Sequence, residues 1–596
     1  MNLAEARRTL RSFGSPRKLH AHIDYWGSFQ GDELLIAGWV HDLGATLELE
    51  LWADGSEVAL TSLTIVRGSR PDVTARYGGE PDARIGFVLR ADLAQSLRSD
   101  AELTLRVHGS QGEAELGLTA TAREKGEKFT ASIRGYADRD RQAAIRLATS
   151  VLGVGAIDLG SVRLNVERAF LVGTRGVFLQ GWLFDPEASL KGLRVRVANA
   201  SSEDVLLELG RLPRPDVDRA IDVRLGAGGD WGFVCFAPVQ APAGSAHAEL
   251  LIETRAAVIS VPVDLLPLSR DAVRLSTDLL SPVDPSGARV VELLEAHIAP
   301  AIEAGYQPAP PAPGEVEVYR FGQLPASPKR SLVIPLFGRA DFMLYQLNEL
   351  ARDPDLAETE IVYVIDDPRL TEHALGFART LHELLEIPLM LVDTGRNRGF
   401  AGAINLGAAQ SSGRYLVLLN SDVLPKERGW LDRLERELEA LPDAGLVGPR
   451  LLFHDGTVQH DGIAFRRDPT WPTLWLNDHP GKGIPAHLVR GPRVERVPAV
   501  TAACAVIARA FFQELGGLDE GYIVGDYEDS DLCLRAAARG RASYVVRDVT
   551  LYHLERQSQS LAGSGSWRTM VTLYNAWRHG RRWASEIEAS VRARRT

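Results

Sequence analysis

Residues 414–423 read Arg-Tyr-Leu-Val-Leu-Leu-Asn-Ser-Asp-Val, a short apolar run that ends in Asn420, Ser421 and Asp422. Similar short apolar runs come before it, with amphipathic helical segments between them, at 331–335, 360–365 and 388–392. Strand-like runs that alternate with helices are typical of a parallel α/β sheet. In such sheets, ligands bind outside the carboxyl ends of the strands. We therefore expect an α/β domain whose functional site lies at that edge.

Polar residues follow the other predicted strands too. Asp366 follows the second strand, and Arg-Asn-Arg-Gly-Phe-Ala-Gly at 396–402 follows the third and leads into a helix. The free N–H groups of such a helix start can bind an anion, although the same pattern also occurs as a simple tight turn. The edge of the sheet is thus predicted to collect polar groups.

Residues 526–531 place four carboxylates within six positions, immediately before a helical segment that ends at Gly540. Acids in a first turn complement the helix dipole, and Asp531 can pair with Arg535 one turn later, so a purely structural explanation is available. A carboxylate held beside a substrate hydroxyl can also act as a general base. The pattern alone leaves both interpretations open.

The ordered series of motifs resembles the A-type inverting glycosyltransferases of glycosyltransferase family two, especially the rhamnosyltransferase-like branch. The resemblance covers about 330–560. It rests on these motifs: Val333-Ile-Pro-Leu-Phe337, Asn397-Arg-Gly-Phe-Ala401, Asn405-Leu-Gly407, Asn420-Ser-Asp422, Gly448-Pro-Arg-Leu-Leu452, Asp455-Gly-Thr457, Thr501-Ala-Ala-Cys504, Gly516-Gly-Leu-Asp-Glu520, Tyr527-Glu-Asp-Ser-Asp531 and Tyr552-His553.

This resemblance implies a Rossmann-like A-type fold and a set of residue roles. The base implied is Asp529, with Glu528 orienting the acceptor or substituting for the base. Asp422 and His553 would bind Mn²⁺ or Mg²⁺, in keeping with the preference of these ions for oxygen and imidazole ligands. Donor contacts are implied for Pro335, Phe337, Asp366, Asn397, Gly399, Asn420, Ser421 and Asp422, and acceptor contacts for Thr501, Ala502, Cys504 and Glu528. Asn420 replaces the first acid of the strict DXD motif.

The implied reaction is a single displacement. A sugar would pass with inversion from a nucleoside-diphosphate sugar to a hydroxyl of a glycan or a lipid-linked acceptor, in the synthesis of a surface polysaccharide. Neither the nucleobase, nor the sugar, nor the acceptor follows from the sequence.

The N-terminal region contains an internal repeat. Ile36-Ala-Gly-Trp-Val-His-Asp42 resembles Leu179-Gln-Gly-Trp-Leu-Phe-Asp185, Arg70-Pro-Asp-Val73 recurs as Arg214-Pro-Asp-Val217, and Gly86-Phe87 recurs as Gly232-Phe233. Period-two alternation, as in Leu47-Glu-Leu-Glu-Leu51, indicates strands with one buried face. We expect two related β-sandwich-like modules joined by a helix near 138–152.

The predicted organisation is multidomain. It consists of a tail (1–19), a first β-sandwich-like module (20–122), a helical linker (123–159), a second module (160–265), a helical and proline-rich linker (266–328), the catalytic domain (329–565) and a basic amphipathic C-terminal helix (566–596). That helix has two interpretations: it either contacts an anionic membrane or packs on its own domain.

Composition excludes several classes of protein. The 596 residues carry a net charge of −11, which argues against general nucleic-acid binding, and only three cysteines occur, without the spacing of a structural zinc site. No signal peptide or membrane-spanning run is evident, so we expect a cytoplasmic protein, with peripheral contact at the inner face of the membrane as an additional expectation. The oligomeric state is left open.

Two rival functions compete with this interpretation. One is a non-catalytic glycan-binding or scaffold protein with a decayed transferase domain. Joint retention of Asp366, Asp422, Glu528, Asp529 and His553 argues against it. The other is a nucleotidyltransferase, for which no glycine-rich, lysine-containing activating loop is found near the start of the domain.

Overall fold

The computed structural model describes residues 20–29, 33–41, 48–77, 80, 83–93, 103–109, 112–118, 157–158, 162–220, 229–254, 258–269, 271–554 and 566–595. The chain divides into two compact units, Met1–Pro267 and Leu268–Thr596. The predicted tail at 1–19 and the predicted helix near 138–152 lie outside the described residues.

The described residues between 20 and 118 form eight strands and one short helix. They are β1 (Ala21–Phe29), β2 (Glu33–Val40), β3 (Glu48–Ala53), β4 (Ser56–Glu57), β5 (Leu60–Gly68), α1 (Pro71–Tyr77), β6 (Gly86–Leu93), β7 (Leu103–Gly109) and β8 (Gly112–Leu118). They form two four-stranded sheets, ordered β1-β2-β6-β5 and β4-β3-β7-β8. Inward side chains of both sheets, such as Trp26 and Leu34 of the first and Leu51 and Leu105 of the second, share one core.

Residues 157–267 contain a second group of strands. They are β9 (Ile157–Asp158), β10 (Arg163–Val172), β11 (Gly176–Phe184), β12 (Gly192–Val197), β13 (Ala200–Ser201), β14 (Gly210–Leu212), α2 (Pro215–Ala220), β15 (Gly232–Pro238), β16 (His247–Glu253), β17 (Val258–Asp264) and β18 (Leu266–Pro267). One sheet has the order β14-β15-β11-β10-β18, with β9 also paired to β10, and the other has the order β13-β12-β16-β17.

The two groups of strands share a β-bulge whose extra residue forms an ion pair with an arginine. In β1 an extra residue, Asp24, interrupts the register with β2, and its carboxylate pairs with Arg70 at 2.6 Å. In β10 the register with β11 shifts between Val166 and Arg168, and the intervening Glu167 pairs with Arg214 at 2.7 Å. Each arginine precedes the proline that begins a short helix, where the fixed φ of proline suits the first turn.

The C-terminal unit is α/β. Its strands are β19 (Glu317–Phe321), β20 (Arg330–Leu336), β21 (Thr359–Ile365), β22 (Leu389–Asp393), β23 (Tyr415–Leu419), β24 (Val423–Pro425), β25 (Ala444–Leu452), β26 (Val458–His460), β27 (Ala464–Asp468), β28 (Trp471–Asp478), β29 (Val494–Val497), β30 (Cys504–Ala508) and β31 (Ala542–His553).

Its helices are α3 (Ala272–Leu280), α4 (Val290–Leu293), a π-helical turn (Leu294–Ile298), α5 (Ala299–Gly305), α6 (Phe342–Leu350), α7 (Thr371–Leu385), α8 (Gly399–Gln410), α9 (Trp430–Ala440), α10 (Arg509–Glu514), α11 (Glu528–Ala537) and α12 (Ser566–Arg595), with 3₁₀ turns at Pro354–Glu358, Pro368–Leu370 and Ala486–Leu488.

The large sheet has the order β19-β22-β21-β20-β23-β30-β25-β31-β24. Strands β22, β21, β20 and β23 run parallel, and they match the four predicted runs to within one residue at every end. The chain moves outward from β20 to β21 and β22 on one side and returns to β23 on the other. This reversal leaves a crevice at the carboxyl ends of β20 and β23.

Helices cover both faces of the sheet. One core packs α6, α7 and α9 against it, and the other packs α8, α10, α11 and α12. The fully buried strand residues explain why these segments read as continuous apolar runs rather than as alternating ones.

The segment predicted as a linker, 266–328, contributes to the C-terminal unit. Its residues 317–321 form β19, which pairs antiparallel with β22 at the edge of the sheet. The unpaired N–H and C=O groups of β22 explain why an extended segment adds there.

The C-terminal helix packs on its own unit. Met570, Leu573, Trp577, Trp583 and Ile587 are all buried, in agreement with the second interpretation of this helix. Over the described part of the chain, none of the helices has both the length and the apolar character needed to cross a bilayer.

Gly407 of α8 provides a test of this packing. A Cβ at that position would approach the Val333 and Val364 methyl groups to 2.6 Å, whereas a Cβ at Gly376 on α7 meets nothing within 4 Å. We expect Gly407→Ala to lower the free energy of unfolding by about 1–3 kcal/mol through overpacking, and the control Gly376→Ala to raise it by up to about 1 kcal/mol. Urea denaturation of the two variants measures this. Equal stability of both would contradict the packing.

Candidate active site

Asp366 lies at the carboxyl end of β21 and is almost completely buried. Its backbone N–H donates to Leu336 O at the end of β20, and its Oδ1 accepts the N–H of Arg398 at 2.7 Å. Burial raises the pKa of Asp366 well above its ordinary value, and the N–H of Arg398 partly offsets this. Pro335 and Phe337, at the end of β20, are half-buried beside it. Asp366 thus joins two strand ends to the loop that follows the third.

That loop is shaped by its own side chains. Asn397 Oδ1 accepts the N–H of Gly399 at 2.9 Å, and Gly399 adopts a φ of 73°. Glycine adopts this left-handed conformation without the steric cost that other residues incur. The next N–H, of Phe400, donates to Val524 O at 3.1 Å. The loop therefore contacts the segment that precedes α11.

The proline-rich segment also holds this loop. The guanidinium groups of Arg396 and Arg398 both pair with Glu315 and both donate to Ala309 O, over distances of 2.8–3.3 Å. The chain outside the recognised motifs thus contributes to one wall of the site.

The fourth strand end carries the predicted metal ligands. Asp422 and His553 are both buried, with Nε2 of His553 3.4 Å from Oδ1 of Asp422, because β24 pairs with β31 at that point. Ser421 is buried beside them. Two neighbouring polar atoms, Nδ1 of His553 and Oδ1 of Asn420, are buried without a hydrogen-bond partner within the described structure. Buried polar atoms are rarely left unpaired in folded proteins, so these two atoms have hydrogen-bonding capacity to offer a bound group.

A carboxylate and an imidazole are suitable ligands for Mn²⁺. Among the residues that the structure describes, no group of three or more histidine, cysteine, aspartate or glutamate side chains is arranged to hold a metal. Two protein ligands fit an ion that takes most of its coordination from phosphate oxygens and water, as Mg²⁺ commonly does. The residues present therefore fit a divalent ion that binds together with a diphosphate.

The predicted acceptor segment lies beside β23. The N–H of Asn420 donates to Ala503 O at 2.9 Å, and Thr501 Oγ1 accepts the N–H of Ala503. Cys504 pairs with Leu419 in the sheet, and burial raises the pKa of its thiol. Cys504 is thus a packed residue with a protonated thiol rather than a nucleophile.

His460 supports the same segment. Its Nε2 accepts the N–H groups of Gly462 and Thr501 at 3.3 and 3.4 Å, so Nδ1 carries the proton and donates to Nδ1 of His479 at 3.0 Å. Burial lowers the pKa of His460 well below its ordinary value, and the neighbouring His479 and His553 lower it further. His460 is a neutral residue that orders the loop.

Glu528 and Asp529 begin α11, which starts within the acidic motif 526–531. The N–H groups of Ser530 and Ala502 donate to Asp529 at 2.7 and 3.3 Å, so its carboxylate contacts the acceptor segment. Burial raises the pKa of Asp529 to about 6. Burial raises the pKa of Glu528 well above its ordinary value, and the charges of Asp529 and Asp526 raise it further. Its Oε2 has no hydrogen-bond partner within the described part of the chain.

Every predicted site segment is therefore connected to the next through a contact at one edge of the sheet. The connected pairs are Leu336–Asp366, Asp366–Arg398, Phe400–Val524, Ala502–Asp529, Asn420–Ala503 and Asp422–His553. This edge of the sheet therefore combines polar groups that suit an anionic, cation-bound ligand with a carboxylate that can accept a proton.

Residues 331–474 match the family model described as Glycosyl transferase family 2. The chain contains a glycosyltransferase family 2 domain. The matched region covers β20 to the middle of β28, including Asp366 and Asp422 but not Asp529 or His553.

Similar proteins cover the chain only in part. O-antigen biosynthesis protein RfbC of Myxococcus xanthus is 26% identical over 344 residues, which are 56% of this chain and 26% of the relative. Uncharacterized protein y4gI of Sinorhizobium fredii (strain NBRC 101917 / NGR234) is 33% identical over 158 residues, 26% of this chain and 17% of the relative. The chain thus spans about a quarter or less of the length of these relatives.

A search of solved structures finds the crystal structure of GalNAc-T7 with UDP, GalNAc and Mn²⁺, at 19% identity and a TM-score of 0.33, covering 44% of this chain and 49% of that one. A TM-score this low carries no weight for the fold or function of this chain.

Several residues around the family 2 domain carry no sequence signal that would single them out. Glu315 lies in the proline-rich segment, His479 follows a hairpin, and Asn575 lies in a helix that the sequence presents mainly as basic and apolar. Their roles depend on long-range contacts of 19 residues or more, which local patterns do not encode.

Proposed function

We propose that the protein transfers a sugar from a nucleoside-diphosphate sugar to a hydroxyl of a glycan or lipid-linked acceptor, with inversion, in the synthesis of a surface polysaccharide. One observation carries this proposal. The Asp422–His553 pair and the Asp529–Ala502 contact lie at the same edge of the sheet, and the family 2 domain contributes strands to that sheet. The partial similarity to an O-antigen biosynthesis protein supports the polysaccharide context.

The donor would lie along the carboxyl ends of the parallel strands. Phe337 and Asp366 would contact the nucleobase side, with Pro335 beside them, and Asn397 and Gly399 would contact the donor from the start of α8. Asn420, Ser421 and Asp422 would contact the ribose and the diphosphate. The buried Oδ1 of Asn420, without a hydrogen-bond partner in the described structure, supports a ligand contact there.

Asp422 and His553 would hold a divalent ion, Mn²⁺ or Mg²⁺, which when bound would neutralise charge on the diphosphate. Asp529 would accept the proton of the acceptor hydroxyl. As that proton leaves, the acceptor oxygen forms a bond to the anomeric carbon, and the bond from this carbon to the diphosphate oxygen breaks on the opposite side. Thr501, Ala502 and Cys504 would line the acceptor pocket.

Glu528 is suited to orient the acceptor. Burial and the neighbouring charges of Asp529 and Asp526 raise its pKa well above its ordinary value, which favours the protonated form. A protonated carboxyl can donate a hydrogen bond to an acceptor oxygen while Asp529 accepts one. Two adjacent carboxyl groups with different environments would thus divide the tasks.

We further infer that the first unit consists of two related β-sandwich-like modules. Their matching strand orders support this, as do the shared bulge and its ion pair to an Arg-Pro-Asp motif. We place the activity in the cytoplasm, where a lipid-linked acceptor would be met at the inner face of the membrane.

Replacing Asp529 tests the base. We expect Asp529→Asn to bind the nucleoside diphosphate with Mn²⁺ as tightly as wild type but to transfer sugar about 10²- to 10⁴-fold more slowly, because the amide cannot accept the proton. Transfer from a panel of nucleotide sugars and calorimetric binding measure the two effects. The exposed Asp548→Asn is the matched control. Wild-type turnover in Asp529→Asn would refute the assignment.

The pH dependence tests the same residue independently. Because the pKa of Asp529 is raised to about 6, its carboxylate is deprotonated above that pH and protonated below it. We expect kcat/KM to be level above pH 6–7 and to fall about tenfold per pH unit below pH 6. The residual activity of Asp529→Asn should lack this acid limb. If the fall in activity below pH 6 persisted unchanged in Asp529→Asn, another group would be responsible for it.

Asp422→Ala tests the metal site. In wild type, Mn²⁺ should strengthen binding of the nucleoside diphosphate, and in Asp422→Ala this gain should fall by at least about tenfold, equal to about 1.4 kcal/mol. Calorimetry with and without Mn²⁺ measures the gain, with Asp548→Ala as the control. An equal Mn²⁺ effect in Asp422→Ala and wild type would exclude this metal role.

A further inference from the structure

The segment that leads into α11 has an unusual backbone. Val524, Asp526 and Tyr527 have φ angles of 65°, 80° and 76°. A positive φ is uncommon outside glycine and is an outlier for a β-branched residue such as valine. Each such residue costs on the order of 1–3 kcal/mol and persists only where its surroundings hold it. The segment immediately precedes Glu528 and Asp529, so its conformation determines where α11 begins.

One side of this segment contacts residues 396–402 at the start of α8, which we call the donor loop. Val524 O accepts the N–H of Phe400 at 3.1 Å, in the first turn of α8. A Cβ on Gly399 would lie 3.4 Å from the same oxygen, so the two backbones pack closely. A displacement of Val524 would therefore disturb the donor loop and the start of α11 together.

The other side is held by the C-terminal helix. Asn575 of α12 is fully buried, and its Oδ1 accepts the N–H of Ile523 at 3.2 Å. Its Nδ2 donates to Ile523 O at 3.1 Å and to Gly525 O at 2.7 Å. One side chain thus makes three hydrogen bonds to the backbone on both sides of Val524. One turn earlier, Thr572 donates to Asp526 at 2.9 Å.

The same helix also contacts α11 itself. Trp583 Nε1 and Arg582 donate to Asp531 at 2.7 and 3.0 Å, and Asp531 in turn accepts from Arg535 at 2.7 Å. Asp531 is completely buried. These contacts fix α12 relative to α11 near Asp531. Because Asn575 lies on the same helix, it can hold residues 523–525 in a fixed position.

We propose that Asn575 is a positioning residue of the transferase site, which holds Ile523–Gly525 in the conformation that sets Glu528 and Asp529 against the donor loop. This inference rests on the proposed function. It makes α12, which begins about 90 residues beyond the region that matches the family model, a working part of the site.

The electrostatics of the contact favour an amide at this position. An amide can accept from one N–H while donating to two carbonyl oxygens. A carboxylate of the same shape can accept from Ile523 N–H but would face the two carbonyl oxygens without a proton to donate. Asn575→Asp should therefore fail to hold residues 523–525, although aspartate has nearly the same volume as asparagine.

The test compares Asn575→Ala and Asn575→Asp with Thr569→Ala, an exposed position on the same helix. Donors are a panel of UDP-, GDP- and dTDP-sugars with Mn²⁺, and the number of folded sites is counted by binding of the corresponding nucleoside diphosphate. We expect kcat per site to fall about 10- to 100-fold in both Asn575 variants, with KM for the donor changed less than about threefold, and no change in Thr569→Ala.

A rescue variant separates positioning from general stability. Glycine adopts a positive φ without strain, so Val524→Gly added to Asn575→Ala should recover at least about fivefold in kcat per site. If neither Asn575 variant folds, Thr572→Val should show a smaller loss of kcat per site, about two- to fivefold. Unchanged kcat per site, or a loss confined to the number of folded sites, would overturn the inference.

Hydrogen exchange tests the role of Asn575 separately from the proposed function. Amides of residues 523–528 should exchange at least about tenfold faster in Asn575→Ala than in Thr569→Ala, and this comparison needs no substrate. A wild-type protein that transfers no sugar would refute the proposed function. Unchanged exchange in residues 523–528 would overturn the role of Asn575 whatever the wild type does.

Discussion

Four carboxyl groups lie at one edge of the sheet, where those of Asp366, Asp422 and Glu528 are buried and that of Asp529 is half-buried. Burying a carboxylate without compensation is unfavourable, so each needs a hydrogen-bond donor, a cation or a proton. The surrounding structure supplies these in different ways. Asp366 receives a backbone N–H, Asp422 lies beside an imidazole, and Asp529 receives two N–H groups. Glu528 is left with an unpaired oxygen within the described structure.

This requirement explains features that would otherwise be unrelated. The loop before α8 donates the N–H of Arg398 to Asp366, and the chain then enters the helix with a positive φ at Gly399. The strained segment 523–527 delivers Glu528 and Asp529 to the same edge, and its strain is balanced by hydrogen bonds from Phe400 and Asn575. The parallel sheet provides the rigid frame on which these loops depend. A site built on strand ends can combine rigid placement with sequence variation in the loops.

The sequence predicted the parallel strands more fully than the long-range contacts that hold the loops of the site. Buried parallel strands must be apolar on both faces, so 331–335, 360–365, 388–392 and 414–419 could be located almost to the residue. The polar residues after them follow from the topology of the sheet. The antiparallel addition of Glu317–Phe321, the His460–His479 pair and the contacts of Asn575 could not be predicted, because they join segments that are distant in the sequence and lack a periodic pattern.

In the proposed function, these carboxyl groups serve a single displacement at an anomeric carbon. ¹H NMR of the anomeric proton can follow this displacement while the wild-type protein reacts with a panel of nucleotide sugars and Mn²⁺. We expect the first sugar product, whether transferred to an acceptor or released to water, to have the anomeric configuration opposite to that of the donor. A first product with the configuration of the donor, or no product from any donor of the panel, would contradict it.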